Sequence, residues 1–167
     1  MMLNNTTENT LAWKRVDIVK RFSNDELKYL NYFCNKTHQF PENVIIHNRF
    51  IFFFINNQEY FSVLRFIPDM RKELPSYKLL VIRNENNLVK LCLSLFPDIY
   101  IHDIKLNIEK NYPRILVSLY TLNYNDRGIA IGKKGHYIKT VNEVLARYVK
   151  IPDVPLPIEL EVIITNL

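Results

Sequence analysis

Glycine is nearly absent from this 167-residue chain, which has three: Gly128, Gly132 and Gly135. Glycine loses more backbone freedom on folding than any other residue, so a chain this poor in it keeps it where nothing else fits. Cysteine is scarce too, with Cys34 and Cys92 the only two. There is no Cys-x-x-Cys, and the four histidines are scattered, which argues against a metal site. Both cysteines fall in apolar stretches expected to be helical, and they read as buried, reduced core residues. No run of 18 apolar residues exists; the longest block, Phe50 to Ile55, is strand-sized, so no membrane partner is expected. The opening MMLNNTTENT lacks the basic and apolar parts of a signal peptide, so a cytoplasmic or other intracellular location is expected. Carboxylates are dispersed, and no Ser/His/Asp or Cys/His set is spaced as a catalytic group would be. His102 and Asp103, neighbours on an expected strand, would point to opposite faces and make no dyad. The chain does not read as an enzyme, and no cofactor is implied.

Apolar side chains and positive charge are plentiful. Hydrophobic residues make up 48%, with 10 Phe and 10 Tyr, enough to build a core. The formal net charge is +5, which favours an acidic partner. That charge is uneven: residues 111 to 150 carry seven Lys/Arg against two Asp/Glu.

All three glycines lie in the stretch 126 to 148, DRGIAIGKKGHYIKTVNEVLARY. Ile138, Val141, Leu145 and Tyr148, with Val144 beside them, form one apolar helical stripe after Gly135. His136, Lys139, Thr140, Glu143 and Arg147 lie off it. Asn125-Asp126 reads as a helix N-cap, followed by a short apolar turn from Gly128 to Ile131. The expected arrangement is helix, glycine-bounded tetrapeptide, helix. A helix starting at Gly135 would present unpaired amides and the positive end of its dipole. Bare glycine lets a phosphate approach that backbone. Lys133 and Lys134 add charge at the tip. Ile131 and Ile138 would floor a trough for unstacked bases, with Arg127, His136 and Lys139 at its edge. A cationic lip beside an apolar trough suits single-stranded RNA, with single-stranded DNA second. A phosphate-binding P-loop fails on spacing, because three residues separate Gly128 from Gly132, and Lys134 stands where a Ser/Thr is needed. A dinucleotide fingerprint fails because its first glycine pair is one residue apart. A glycine-hinged helical corner with no ligand is the plain alternative.

The segment Ile131 to Ile138 resembles the KH-domain signature Ile-Gly-x-x-Gly-x-x-Ile. GIAIGKKG and the helix after it are most similar to the second KH module of the NusA-like transcription factors, whose short two-KH archaeal members are nearest in size. The resemblance implies that Gly132, Lys133, Lys134 and Gly135 clamp a nucleic-acid backbone while about four nucleotides lie in the groove.

Along the chain, residues 1 to 22 read as an arm, frayed at its start; Leu11 to Lys20 suit a strand or a looser arm equally. Ser23 with Glu26 is a capping box opening a helix whose inner face is Leu27, Leu30, Phe33 and Cys34. Strands are expected at Val44–His47 and Phe50–Ile55, a helix from Tyr60 to Ile67 cut by Pro68, a helical turn after it, and a strand at Tyr77–Ile82. The order then repeats: a helix within Asn84–Phe96 with Leu88, Leu91, Cys92 and Leu95 inward, strands at Ile99–Ile108 and Arg114–Leu122, the two helices around GKKG, a proline-rich link, and a strand at Ile158–Thr165. The expected fold is α+β. The KH resemblance implies two tandem type II modules, 23 to 83 and 84 to 167. In the first, Arg65-Phe66-Ile67-Pro68 replaces the glycine loop, so that copy reads as degenerate.

The expected function is single-stranded RNA binding. The resemblance implies a role in transcription elongation, termination or antitermination. The aromatic-rich first copy, with Phe50, Phe52 to Phe54, Tyr60, Phe61 and Phe66, motivates a second expectation. There the chain is an interaction subunit of RNA polymerase or the ribosome, with RNA contact incidental, and a monomer outside such a complex.

Overall fold

A computed structural model describes residues 10–165. The chain divides into two units, one formed by Lys20–Glu85 and the other by the residues up to Val19 together with Asn86 onwards. Both are small mixed α+β structures.

The first unit opens with helix α1, Asn24–Thr37. The Glu26 carboxylate accepts from the Ser23 amide at 3.1 Å, closing the expected capping box. The buried face is not the expected one. Glu26, Tyr29, Phe33 and Thr37 are buried, whereas Leu27 is exposed and Leu30 and Cys34 are half-buried. The face is rotated because Glu26 is drawn in by its cap, and because Thr37 satisfies its hydroxyl on the Phe33 carbonyl at 2.9 Å. Strands β1, Asn43–His47, and β2, Phe50–Ile55, form an antiparallel hairpin. Its two-residue turn, Asn48-Arg49, has both φ positive, which matches the right-handed twist of the flanking strands.

Helices α2, Tyr60–Leu64, and α3, Ile67–Glu73, follow, and β3, Lys78–Arg83, runs parallel to β2. Pro68 does not cut a helix as expected; it sits in the first turn of α3, where its missing N–H costs nothing. Tyr29, Phe33, Ile51, Phe53, Ile55, Val63 and Met70 make the core between helices and sheet. Lys36 and the Tyr32 hydroxyl of α1 both donate to the Glu73 carboxylate of α3. Of the aromatics in this unit, Phe50, Phe52, Phe53 and Phe54 are buried, Phe66 is half-buried and Phe61 is exposed.

The second unit repeats the order. Helix α4, Leu88–Ser94, is capped by Asn87 and buries Leu88, Leu91 and Cys92. Strands β4, Asp103–Glu109, and β5, Arg114–Thr121, are antiparallel. Helix α5, Tyr124–Ile131, a 3₁₀ turn at Lys133–Gly135, and helix α6, His136–Tyr148, lead through a two-residue strand β6, Val149–Lys150, to β7, Ile158–Ile164, parallel to β5. The sheet order is β4-β5-β7, matching β1-β2-β3 in the first unit. Ile115, Val117 and Leu119 of β5 and Ile158, Leu160 and Val162 of β7 are buried, together with Val141, Val144 and Leu145 of α6. The opposite face is polar: Arg114 donates to Glu109 at 2.7 Å and to Glu159, and Ser118 donates to Glu161 at 2.7 Å.

The arm is part of this unit. Leu11 and Val16 are buried, and Asp17–Ile18 pairs antiparallel with β6. The Val16 amide donates to Asn86 at 2.9 Å. The fraying expected at residues 1 to about 10 lies outside the described residues except at Thr10, which begins a short helical turn. Cys92 is fully buried, and burial pushes its thiol up to about 12. Cys34 is half-buried rather than buried, and desolvation raises its thiol as well.

Candidate nucleic-acid interface

The α5–α6 corner is built by glycines that serve three different needs. Helix α5 is capped by Asn123, not by Asn125-Asp126 as expected; its carboxamide accepts from the Asp126 amide at 2.8 Å. The helix therefore starts earlier and takes in the whole Gly128–Ile131 segment that the sequence presented as a turn. Gly132 ends it with φ 79 and ψ 171, a region essentially reserved for glycine. A Cβ there would stand 2.7 Å from the Tyr137 Cβ and 3.0 Å from its amide nitrogen. Gly132 thus lets the first turn of α6 pack onto the end of α5.

Gly135 has φ 71, and a Cβ there would meet nothing within 4 Å. Its backbone is left-handed while its open side faces away from protein atoms. Gly128 has neither demand. Its φ is not positive, and a Cβ would again meet nothing within 4 Å. Alanine would improve an exposed helix interior by about 1 kcal/mol. The chain even tolerates His38, Asn48, Arg49 and Lys134 at positive φ. Glycine at 128 answers no requirement of the fold.

Lys133 and Lys134 are exposed at the tip, with Lys134 held at φ 55, a conformation costing an L-residue roughly 1–2 kcal/mol. Two amides expected to face a ligand are used inside the turn instead. Gly135 donates to the Gly132 carbonyl at 3.1 Å, and His136 donates to Lys133. The positive character of the tip therefore rests on the two ammonium groups and on the amides that remain.

Ile131 and Ile138 are half-buried on either side of the loop, and His136 and Lys139 are exposed on the first turn of α6. Thr140, expected off the apolar stripe, is fully buried, because its hydroxyl donates to the His136 carbonyl at 2.8 Å. Arg127 reaches β7, donating from Nε to the Val162 carbonyl at 3.3 Å. Asn142 of α6 bonds both backbone groups of Leu160, accepting at 2.7 Å and donating at 3.0 Å. The two side chains fix the helices against the outer edge of β7. All nine sequence-selected residues, from Arg127 to Lys139, therefore lie on one corner of one unit.

Sequence reasoning missed Tyr137. Its hydroxyl donates to the Leu95 carbonyl, and its ring meets Phe96 edge-on with centroids 5.6 Å apart. Burial, then the Asp98 charge, raises its phenol above the usual range. It anchors the start of α6 to the end of α4, which positions the loop. Its place between the glycine pair and Ile138 was the available signal.

In the first unit the matching corner is Arg65-Phe66. No residue from Tyr60 to Glu73 has positive φ. Arg65 lies over the Phe66 ring, 4.8 Å from its centroid. Among the described residues no helix is long and apolar enough to cross a membrane.

No protein-family model matches the chain, and no curated protein matches it. A solved structure does: the crystal structure of APE1850 is similar with a TM-score of 0.60 and 24% identity, over 86% of this chain and 100% of that one. A likeness at this identity speaks to the fold.

Proposed function

We propose that this chain binds single-stranded RNA through the Gly132-Lys133-Lys134-Gly135 loop, and that its two units are tandem type II KH modules, the first degenerate. The carrying observation is the division of labour among the glycines. Gly132 is required by packing, Gly135 suits its left-handed backbone, and Gly128 is required by neither, its surroundings being open within 4 Å. In this reading Lys133 and Lys134 meet successive phosphates, and the bare Gly135 admits the backbone between them. Ile131 and Ile138 support splayed bases. Arg127, fixed at the β7 edge, sets the width of the trough, Lys139 extends its cationic rim, and the His136 ring adds a hydrogen-bonding group there. The repeated element order and the repeated sheet order support the tandem reading.

The Arg65-Phe66 corner has no glycine, and its aromatic is half-buried, so it offers no phosphate cradle. One working clamp binds weakly, because the avidity of a linked pair is lost. A NusA-like role in transcription elongation, termination or antitermination, in the cytoplasm and without catalysis, is the process this reading fits. The test is Lys133→Asp with Lys134→Asp, both exposed positions. Anisotropy with a labelled single-stranded RNA should show binding abolished, while circular dichroism and the melting temperature stay as in wild type. Wild-type affinity in the folded double variant would remove the loop from the interface.

A further inference from the structure

The two edges of the second unit's sheet are treated differently. The β7 edge is covered at its middle by Asn142 and Arg127, which take the Leu160 amide and carbonyl and the Val162 carbonyl. The β4 edge is not closed in this way: among the described residues, no strand pairs with its outer side. The outward Ile104 amide is met by the carboxylate of Asp103, its own neighbour, at 2.8 Å. A cleft of about 330 Å³ lies there, lined by Ala12, Trp13, Val89, Lys90 and the consecutive residues Ile104, Lys105 and Leu106. Successive strand residues point to opposite faces, so a cleft touching all three must run along the strand's backbone edge.

The far wall is the arm and the start of α4. Asn87 donates to the Ala12 carbonyl at 2.6 Å, and Leu11 and Val16 are buried on either side. Between these anchors Trp13, the chain's one tryptophan, is 78% exposed. Folded proteins blunt open edges because such edges recruit other strands. Here the edge is flanked by an exposed indole and two exposed lysines, Lys90 and Lys105, the latter 5.2 Å from the Tyr120 ring centroid, against the single carboxylate of Asp103.

We propose that this cleft docks an extended acidic peptide of a partner protein, which adds a strand to β4. Main-chain bonds to the outer edge would give affinity once the Asp103 carboxylate yields the Ile104 amide to the peptide, Trp13 would cover an apolar side chain, and Lys90 and Lys105 would select carboxylates at the flanks. The three-residue edge lining favours a peptide over a nucleotide, which has no ladder of amides to offer. This surface is separate from the lysine loop and does not depend on the RNA reading.

Trp13 makes the test direct, since it is the only indole. The full chain is titrated with a seven-residue peptide alternating glutamate with valine and phenylalanine, and with the same peptide N-methylated at alternate amides on each edge in turn. The expected result is a saturable blue shift of the emission with the parent peptide and with one methylated form, and none with the form whose pairing edge is blocked. Lys90→Glu with Lys105→Glu should weaken binding about tenfold, because two exposed attractions become repulsions. RNA affinity should be unchanged in that variant. Equal binding of both methylated peptides, no shift with any peptide, or displacement of the peptide by a ten-nucleotide oligouridine acting at Trp13 would each overturn the assignment.

Discussion

Replacing Gly128 by alanine should move stability and binding in opposite directions. The added methyl meets no protein atom within 4 Å, and the backbone is already helical, so no steric term offsets the gain in propensity. That gain is about 0.8–1 kcal/mol for an exposed helix interior, equivalent to roughly 2–4 °C in melting temperature for a chain of this size. If RNA lies against α5 at this point, the same methyl intrudes on a filled contact. Overpacking of that kind costs roughly 1–3 kcal/mol, and 1.4 kcal/mol is about tenfold in affinity. Thermal melts read the first effect, and anisotropy with a labelled single-stranded RNA reads the second. A variant that is more stable and binds RNA as wild type does would refute the reasoning that bare helix surface at 128 is kept for a ligand. A less stable variant would refute the propensity argument itself.

The remaining predictions concern the loop and the core. Gly132→Ala should destabilise by at least about 2 kcal/mol in urea melts, because a glycine-only backbone region and a 2.7 Å approach to Tyr137 act together. Gly135→Asn should cost under about 1 kcal/mol, since asparagine tolerates a left-handed backbone and the space is open; equal costs for the two would contradict their separation. RNA affinity should fall with salt at a slope of roughly −2, from about −0.7 for each of three phosphate contacts; a slope near zero would remove the lysines from the interface. Burial holds the Cys92 thiol neutral in the folded chain up to about 12, against 9.0 for the free thiol. The unfolded chain therefore binds fewer protons above pH 9, and stability should fall with rising pH there by up to about 1.4 kcal/mol per unit from this group. Cys92→Ala should flatten that slope, as urea melts at pH 8, 9 and 10 would show.

Long periodic signals were the legible part of the fold. The β5 and β7 alternations and the Val141–Leu145 stripe were clear because burial on one face imposes a period on residue type, and Phe50 to Ile55 was clear as an unbroken apolar run because both its faces are buried. Errors arose where local chemistry outweighed that period. Glu26 and Thr37 face inward because each satisfies its polar group locally, and that rotates α1 away from Leu27. Pro68 reads as a stop in sequence, yet the same missing N–H makes it a good first-turn residue. The two-residue strand at Asp17–Ile18 carries no period at all; its pairing with Val149 and Lys150 is a long-range contact no window detects. At the candidate site every selected residue came from one contiguous motif, which is why they cluster. Tyr137 stood inside the motif but its partner did not, and Asn142 and the Val162 and Leu160 carbonyls gave no signal, because these roles depend on elements distant in sequence.

The central claim is that RNA touches the chain at the α5–α6 corner. Ultraviolet crosslinking of the full chain to RNA, followed by mass spectrometry of the attached peptides, tests it most directly. The account predicts adducts confined to peptides spanning Gly128 to Lys139. Adducts concentrated at Arg65 to Pro68 or at Trp13, with the Gly128 to Lys139 peptides unmodified, would contradict it.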